Sequence, residues 1–178
     1  MAPEAGDKVG DESMAGDLGA LCRRYTVVAA SRAHALALAP VMRRADREEV
    51  WAAAGLRPLA ALERSLGASC LAWTWLVDGR PACMFGLATA SLMSGIGQPW
   101  MLSGELILSH QTAFLRHYRP FLAEMRALFP VLTNWVDARY IASIKWLQWM
   151  GFEIHAAEPY GPFGMLFHRF EMRKKVGA

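Results

Sequence analysis

Cysteine is scarce in this chain: Cys22, Cys70 and Cys83 are the only three in 178 residues, and they stand at no metal-ligand spacing. An odd, scattered set of thiols excludes a disulfide framework and a zinc site, and it suits a reducing compartment. Long apolar runs are missing too, for none approaches the roughly 18 residues of a membrane-spanning helix. The first 19 residues carry Glu4, Asp7, Asp11, Glu12 and Asp17 without an apolar stretch, so they do not read as a secretory signal. Neither sign of charge dominates: 19 basic against 16 acidic side chains leave a net +3, too mild to indicate a nucleic-acid partner. There is no G-x-G-x-x-G at a strand-to-helix turn, no Walker A sequence and no internal repeat, which removes dinucleotide, P-loop and solenoid readings.

What is present suits one globular domain. Hydrophobic residues make up 54% and charged residues 20%, enough at this length to bury a sizeable core. Residues 1–22 are rich in Gly, Ala and Asp and read as a flexible acidic arm, 23–173 as the domain, and 174–178 as a basic tail.

Along the domain, 24–30 is β-branched and apolar, a first strand. Ser31 is the expected N-cap of a helix through Arg44 that Pro40 bends or interrupts. Asp46 with Glu49 resembles a capping box opening a second helix that ends at Gly55, and Pro58 starts a further helical stretch to Leu66. Asp78-Gly79 between two apolar runs, 71–77 and 81–88, is a strong hairpin signal. Residues 89–97 read as a loop, 98–102 as a strand, and Ser103-Gly104-Glu105 as the start of the longest helix. That helix places Ile107, Phe114, Tyr118, Phe121, Met125 and Leu128 on one face and Arg116, Arg119 and Arg126 nearly opposite; Pro120 predicts a kink and Pro130 a stop. A strand (132–137), a short helix (141–150) capped by Gly151, and two strands (152–155 and 165–172) around a turn-rich 156–164 complete the order β-α-α-β-β-β-α-β-α-β-β. This is a mixed α/β fold rather than a regular doubly wound sheet.

The segment VDARYIASIKWLQWMGF, Val136 to Phe152, resembles the acyl-CoA-binding strand–helix of the GNAT N-acetyltransferase superfamily through Val136, Ser143, Gly151 and Phe152. The element order from Arg24 to Met172 resembles that fold as well. A narrower resemblance, carried by QPWMLSGE, NWV, SIKWL and FHRFEM, is to the internal virion protein A family of short-tailed bacteriophages. Its residues include Trp100, Leu102, Ser103, Gly104, Asn134, Val136, Ser143, Lys145 and Leu147. The phage likeness implies a binding scaffold in virion morphogenesis, in the host cytoplasm or on the virion, with a phage structural or host protein as partner. The GNAT likeness implies the alternative, an acetyl-CoA-dependent N-acetyltransferase acting on an amine or a protein N-terminus. Its cofactor would lie against Met101, Leu102, Ser103, Gly104, Tyr140 and Ser143.

The resemblance has departures. The superfamily's glycine-rich turn, whose backbone N–H groups cradle a diphosphate, reads Leu102-Ser103-Gly104-Glu105 here, with an acid where phosphates would sit. Tyr140 replaces an Asn, and Leu147 replaces the Tyr that often serves as general acid. No catalytic residue stands out. His168 reads as a hydrogen-bonded core imidazole on a face with Leu166, Phe170 and Met172, while Glu153 and His155 read as an exposed pair. His110 and His117 lack a third metal ligand. Trp146 and Trp149 lie on a short helix apolar nearly all round, which reads as buried or as a partner surface. Tyr160 and Phe163 fall in a loop that would be a substrate-side lid in an enzyme or a docking loop in an assembly protein.

Overall fold

The protein is described by a computed structural model covering residues 24–89 and 92–174. The expected acidic arm, Cys22, and all of the expected tail except Lys174 lie outside the described residues.

Strand β1 (Tyr25–Ala29) leads to helix α1 (Arg32–Leu38). Ser31 caps it, its Oγ accepting from the His34 N–H at 3.3 Å. Pro40 interrupts rather than bends: the chain passes into a 3-10 turn at Ala39–Val41 before α2 (Arg44–Ala54) and α3 (Pro58–Gly67). Three helices therefore precede the hairpin, where the order above counts two. Gly55 closes α2 in the left-handed region at φ 66°. Asp46, expected as a cap, stands inside the first turn of α2 and is buried, because its carboxylate is claimed by Arg43 and Ser103. Strands β2 (Ser69–Val77) and β3 (Arg80–Ala88) form the hairpin, with Asp78 at φ 49° and Gly79 at φ 74° as its two-residue turn.

Strand β4 (Ile96–Ser103) begins inside the expected loop and runs through Ser103. The long helix α4 (Gln111–Leu128) then starts later than expected, because residues Glu105–Ser109 form a 3-10 turn, which also carries Ile107. Helix α4 continues through Pro120 and buries Phe114, Tyr118, Leu122 and Met125, whereas Leu128, expected on that face, is exposed. Strand β5 (Val131–Asp137), α5 (Ile141–Trp149), β6 (Glu153–Tyr160) and β7 (Met165–Arg173) follow. The segment expected to turn from residue 156 stays extended to Tyr160, since β6 regains its pairing with β7 after a bulge between Ile154 and Ala157. Pro159 is tolerated there because β6 is an edge strand.

The seven strands order β1-β2-β3-β4-β5-β7-β6, with β4 and β5 the parallel neighbours. Trp75, Phe85 and Leu87 pack with Phe114, Tyr118, Met125, Ile144 and Leu147 from α4 and α5. Met84 and Leu102 pack with Leu38, Ala61 and Leu62 from α1 and α3. The alternation of side chains along β3 thus feeds two cores, one on each face of the sheet.

Candidate active site

The site begins with a strand pairing that stops. Strands β4 and β5 pair only at Ile96↔Val131 and Gly97↔Leu132. Two residues later β4 presents Pro99, which has no N–H for a ladder, and Asn134 of β5 fills the place with its side chain. Asn134 Nδ2 donates to the Pro99 carbonyl at 3.0 Å, and its Oδ1 accepts from the Trp135 N–H at 2.9 Å. Beyond this wedge the strands part. The Pro99 carbonyl faces β5, and backbone direction alternates along a strand, so the peptide groups of Met101 also face the gap.

The gap opens into a groove of about 510 Å³ that reaches through the sheet. Val50, Ala53, Ala54 and Ala61 of α2 and α3 line one side; Ser143, Trp146 and Leu147 of α5 line the other, with Met101, Leu102 and Val136 between them. The Trp135 and Tyr160 rings, stacked with centroids 4.4 Å apart, form a wall. The β6–β7 turn covers the end of α2: Phe163 stacks on Trp51 at 5.6 Å, and Gly161 comes so close that a Cβ would meet the Ala52 carbonyl oxygen at 2.5 Å.

The first turns of α2 carry charge across the mouth of the gap. Arg43 pairs with Asp46, Ser103 Oγ donates to the same carboxylate at 3.0 Å, and the Arg43 N–H donates to the Ser103 carbonyl at 2.8 Å. Burial raises the Asp46 carboxyl above its ordinary range, and Arg43 and Ser103 oppose the rise. One turn on, Glu49 Oε1 accepts from the Asp137 N–H at 3.1 Å. Its carboxyl is pushed up to about 8, chiefly by burial and further by the charges of Asp46 and Asp137, against the hydrogen bond from Asp137 and the charge of Arg43. Glu48 is the opposite case: hydrogen bonds from Tyr140 and Arg44 hold its carboxyl below the usual value. A carboxyl in a groove with its proton loss moved near neutrality is suited to take a proton from a substrate.

The residues expected at a cofactor fall into two groups. Met101, Leu102 and Ser143 line the groove together. Tyr140 stands nearby at the start of α5, its hydroxyl donating to Glu48 Oε2 at 2.6 Å. Ser103 and Gly104 are sealed below: both are buried, the Gly104 N–H donates to the Ala82 carbonyl at 2.9 Å, and Gly104 bridges Met42. A side chain on Gly104 would meet Leu38 Cδ1 and the Val41 carbonyl oxygen, each at 3.1 Å. Met101, Ser143 and Leu147 thus face one groove.

Other candidates stay apart from the groove's acid. His168 Nδ1 meets the His155 carbonyl at 2.8 Å and is half-buried, Leu166 on its face is exposed, and Glu153 is exposed. His110 meets the Tyr25 hydroxyl, and His117 meets the Ala113 carbonyl. Among the described residues no group of three or more His, Cys, Asp or Glu is placed to hold a metal ion. Arg116, Arg119 and Arg126 are exposed, with the Arg119 guanidinium 4.9 Å above the Trp149 ring. Helix α5 is less buried than its composition suggests, since Ile141 and Trp149 are more than half exposed. No helix among the described residues is long and apolar enough to cross a membrane. Sequence reasoning missed Glu49 as a site residue and missed the Pro99–Asn134 wedge. The available signal was an acidic run, Asp46, Glu48 and Glu49, on a helix whose next turns are Val50, Ala53 and Ala54.

No protein-family model matches the chain, and no curated protein sequence resembles it significantly. Solved structures do resemble it. The GNAT-family acetyltransferase of Streptococcus pneumoniae shares 14% identity at a TM-score of 0.61, covering 84% of this chain and 99% of that one. Ard1 of Thermoplasma volcanium shares 14% at 0.62, covering 84% and 97%. YncA of Salmonella typhimurium, solved with its cofactor acetyl-CoA, shares 16% at 0.59, covering 87% and 96%. Nothing in these comparisons supports the likeness to phage internal virion proteins. The chain has the GNAT acetyltransferase fold, with an acid-bearing groove at the parting of its two parallel strands.

Proposed function

We propose that the protein transfers an acyl group from a pantetheine thioester, with acetyl-CoA as the reference donor, to an amine. The observation that carries this reading is the gap held open by Pro99 and Asn134, leading to a groove with Glu49 on its wall. Acetyl-CoA would supply an activated acyl carbon. Met101, Leu102, Ser143 and Leu147 would flank its acyl-pantetheine end, and the Met101 N–H would face the acyl oxygen, where a fixed donor favours developing negative charge. The Glu49 carboxylate would take the proton that the attacking amine loses as the new C–N bond forms and the C–S bond breaks. Leu147 offers no proton to the leaving sulfur, but a thiolate is a good enough leaving group to depart unprotonated and take its proton from water. The virion-assembly reading gains no observation from the fold.

The test is release of free thiol from acetyl-CoA in the presence of a panel of amines and short peptides, with calorimetric titration of acetyl-CoA alongside. Binding at micromolar strength and amine-dependent thiol release are expected. Calorimetric silence at millimolar acetyl-CoA with no thiol release would overturn the proposal.

A further inference from the structure

The groove has two faces, because side chains alternate along β4. Met101 packs with Val136 and Leu147 on the α4–α5 face, whereas Trp100 and Leu102 pack with Val50, Ala61 and Leu62 on the α1–α3 face. The donor is proposed for the first face, which leaves the second to the acceptor. The groove's charged lining residues all come from this second face: Arg43, Asp46 and Glu49 at α2, and Arg64 on α3. Arg43 and Asp46 cancel as an ion pair. Glu49, with its proton loss moved to about 8, is largely uncharged at neutral pH. Arg64, in the last turn of α3, has no carboxylate to answer it. Its neighbour Glu63 is held by Arg32, and the guanidinium makes no hydrogen bond or ion pair with another described residue. The acceptor face therefore carries one uncompensated positive charge.

That charge stands at the opposite end of the groove from the acid. Glu49 accepts from the Asp137 N–H, and continuing the β4–β5 register sets Asp137 level with Leu102. Arg64 lies just before Ser69, whose Oγ donates to the Ser65 carbonyl at 2.6 Å and accepts from Trp100 Nε1 at 2.8 Å. Ser69 pairs with Ala88, and Ala88 pairs with Gln98, which lines the groove at this end. Gln98 and Leu102 are about 13 Å apart along the strand, and the length of the Arg64 side chain covers part of that span. Between the two ends the wall is Ala53 with the stacked Trp135 and Tyr160, apolar surface without a competing charge. A single α-amino acid, whose amine and carboxylate share one carbon, is too short to reach from Glu49 to Arg64. Two or three extended peptide residues, at about 3.5 Å each, match the distance.

We infer that the acceptor is a peptide amine whose carboxylate stands two or three residues away from it, the amine lying at Glu49 and the carboxylate held by the Arg64 guanidinium. The planar, paired N–H donors of an arginine fit a carboxylate. This rests on the acyltransferase reading and names its acceptor class. The transfer remains balanced: the amine nitrogen gains the acyl carbon, the donor sulfur leaves as thiolate, the amine proton passes to Glu49, and the peptide carboxylate is unchanged.

The experiment uses acetyl-CoA as donor and compares trialanine, trialanine amide and the amide of Ala-Ala-Glu as acceptors, on the full chain and on R64Q. Arg64 is exposed, so R64Q should fold as the parent does, which an unchanged urea midpoint checks. In the parent, the KM for trialanine should lie about fivefold to tenfold below that for its amide, the size of one solvent-facing charged contact. The gap should shrink as salt rises from about 0.05 to about 0.5 M. R64Q should close the gap by raising the KM for trialanine, with the acetyl-CoA KM unmoved. The third peptide separates two sources of the carboxylate. A KM near that of trialanine admits an acidic side chain, and one near that of the amide restricts the site to a free C-terminus; either supports the inference. Equal KM values for trialanine and its amide in the parent, a gap that survives in R64Q, or an R64Q effect on the acetyl-CoA KM alone would overturn the inference and leave the acyltransferase reading standing. Turnover of other amines with every peptide inert would do the same, and no turnover of any amine would overturn both.

Discussion

Replacing Glu49 by Gln tests the electrostatics of the groove before any substrate is known. The native carboxyl is held near pH 8 against 4.5 for an ordinary glutamate, mainly because burial penalises the charge. A raised acid keeps its proton in the folded state while the unfolded chain has lost it. Its contribution therefore favours folding below pH 4.5, falls as the pH rises towards 8, and is level above that. The full displacement corresponds to an upper bound of about 5 kcal/mol, which water in the open groove and local relaxation reduce to about 1–3 kcal/mol. Glutamine keeps an oxygen for the Asp137 N–H and carries no charge, so E49Q should match the parent at pH 4.5 and exceed its stability by about 1–3 kcal/mol at pH 9. For a chain of this size that is a rise in melting temperature of about 3–10 °C at pH 9. Urea denaturation of both proteins at half-unit steps from pH 4.5 to 9 reads the difference directly. A constant loss of stability in E49Q across that range would mean that Glu49 is ionised and favourably paired, and the reasoning would be refuted.

Two further substitutions probe how the groove is built. Gly161→Ala puts a Cβ within 2.5 Å of the Ala52 carbonyl oxygen and 2.8 Å of that of Ala53, at φ +71°. It should cost about 2–4 kcal/mol in chemical denaturation and undock the β6–β7 turn; a cost below about 0.5 kcal/mol would show that this contact is not tight. Asn134→Ala removes the bridge to the Pro99 carbonyl and the acceptor for the Trp135 N–H. It should destabilise the protein by about 1–2 kcal/mol and speed hydrogen exchange at Trp135, and unchanged exchange there would contradict the wedge.

Most of the fold was legible because local chemistry and tertiary context agreed. Asp78-Gly79 needs positive φ at both positions and obtains it in the hairpin, Ser31 caps the helix that follows it, and Gly151 adopts φ +95° after α5. The failures sit where a distant partner outbid a local signal. Asp46 and Glu49 have the spacing of a capping box, yet Asp46 turns to Arg43 and Ser103, and Glu49 reaches the Asp137 N–H, a partner 88 residues away in sequence. Ser103-Gly104-Glu105 has the composition of a helix start, but Ser103 is still paired as strand with Cys83, and Gly104 is pinned against Ala82 and Met42. The Ala-Ala-Glu-Pro-Tyr stretch looks like a loop because a proline in a strand is legible only once the strand is known to be an edge. Met101, Leu102 and Ser143 could be nominated by resemblance, whereas Glu49 could not, because its burial is made by strands that lie far from it in the chain.

The most direct test of the account is the pH dependence of kcat/KM for acyl transfer to an amine, measured for the parent and E49Q under identical conditions. Activity of the parent should rise through an apparent pKa near 8, and E49Q should lose about a hundredfold or more while binding the donor with unchanged affinity. A profile without that rise, or full activity in E49Q, would contradict Glu49 as the group that takes the amine's proton.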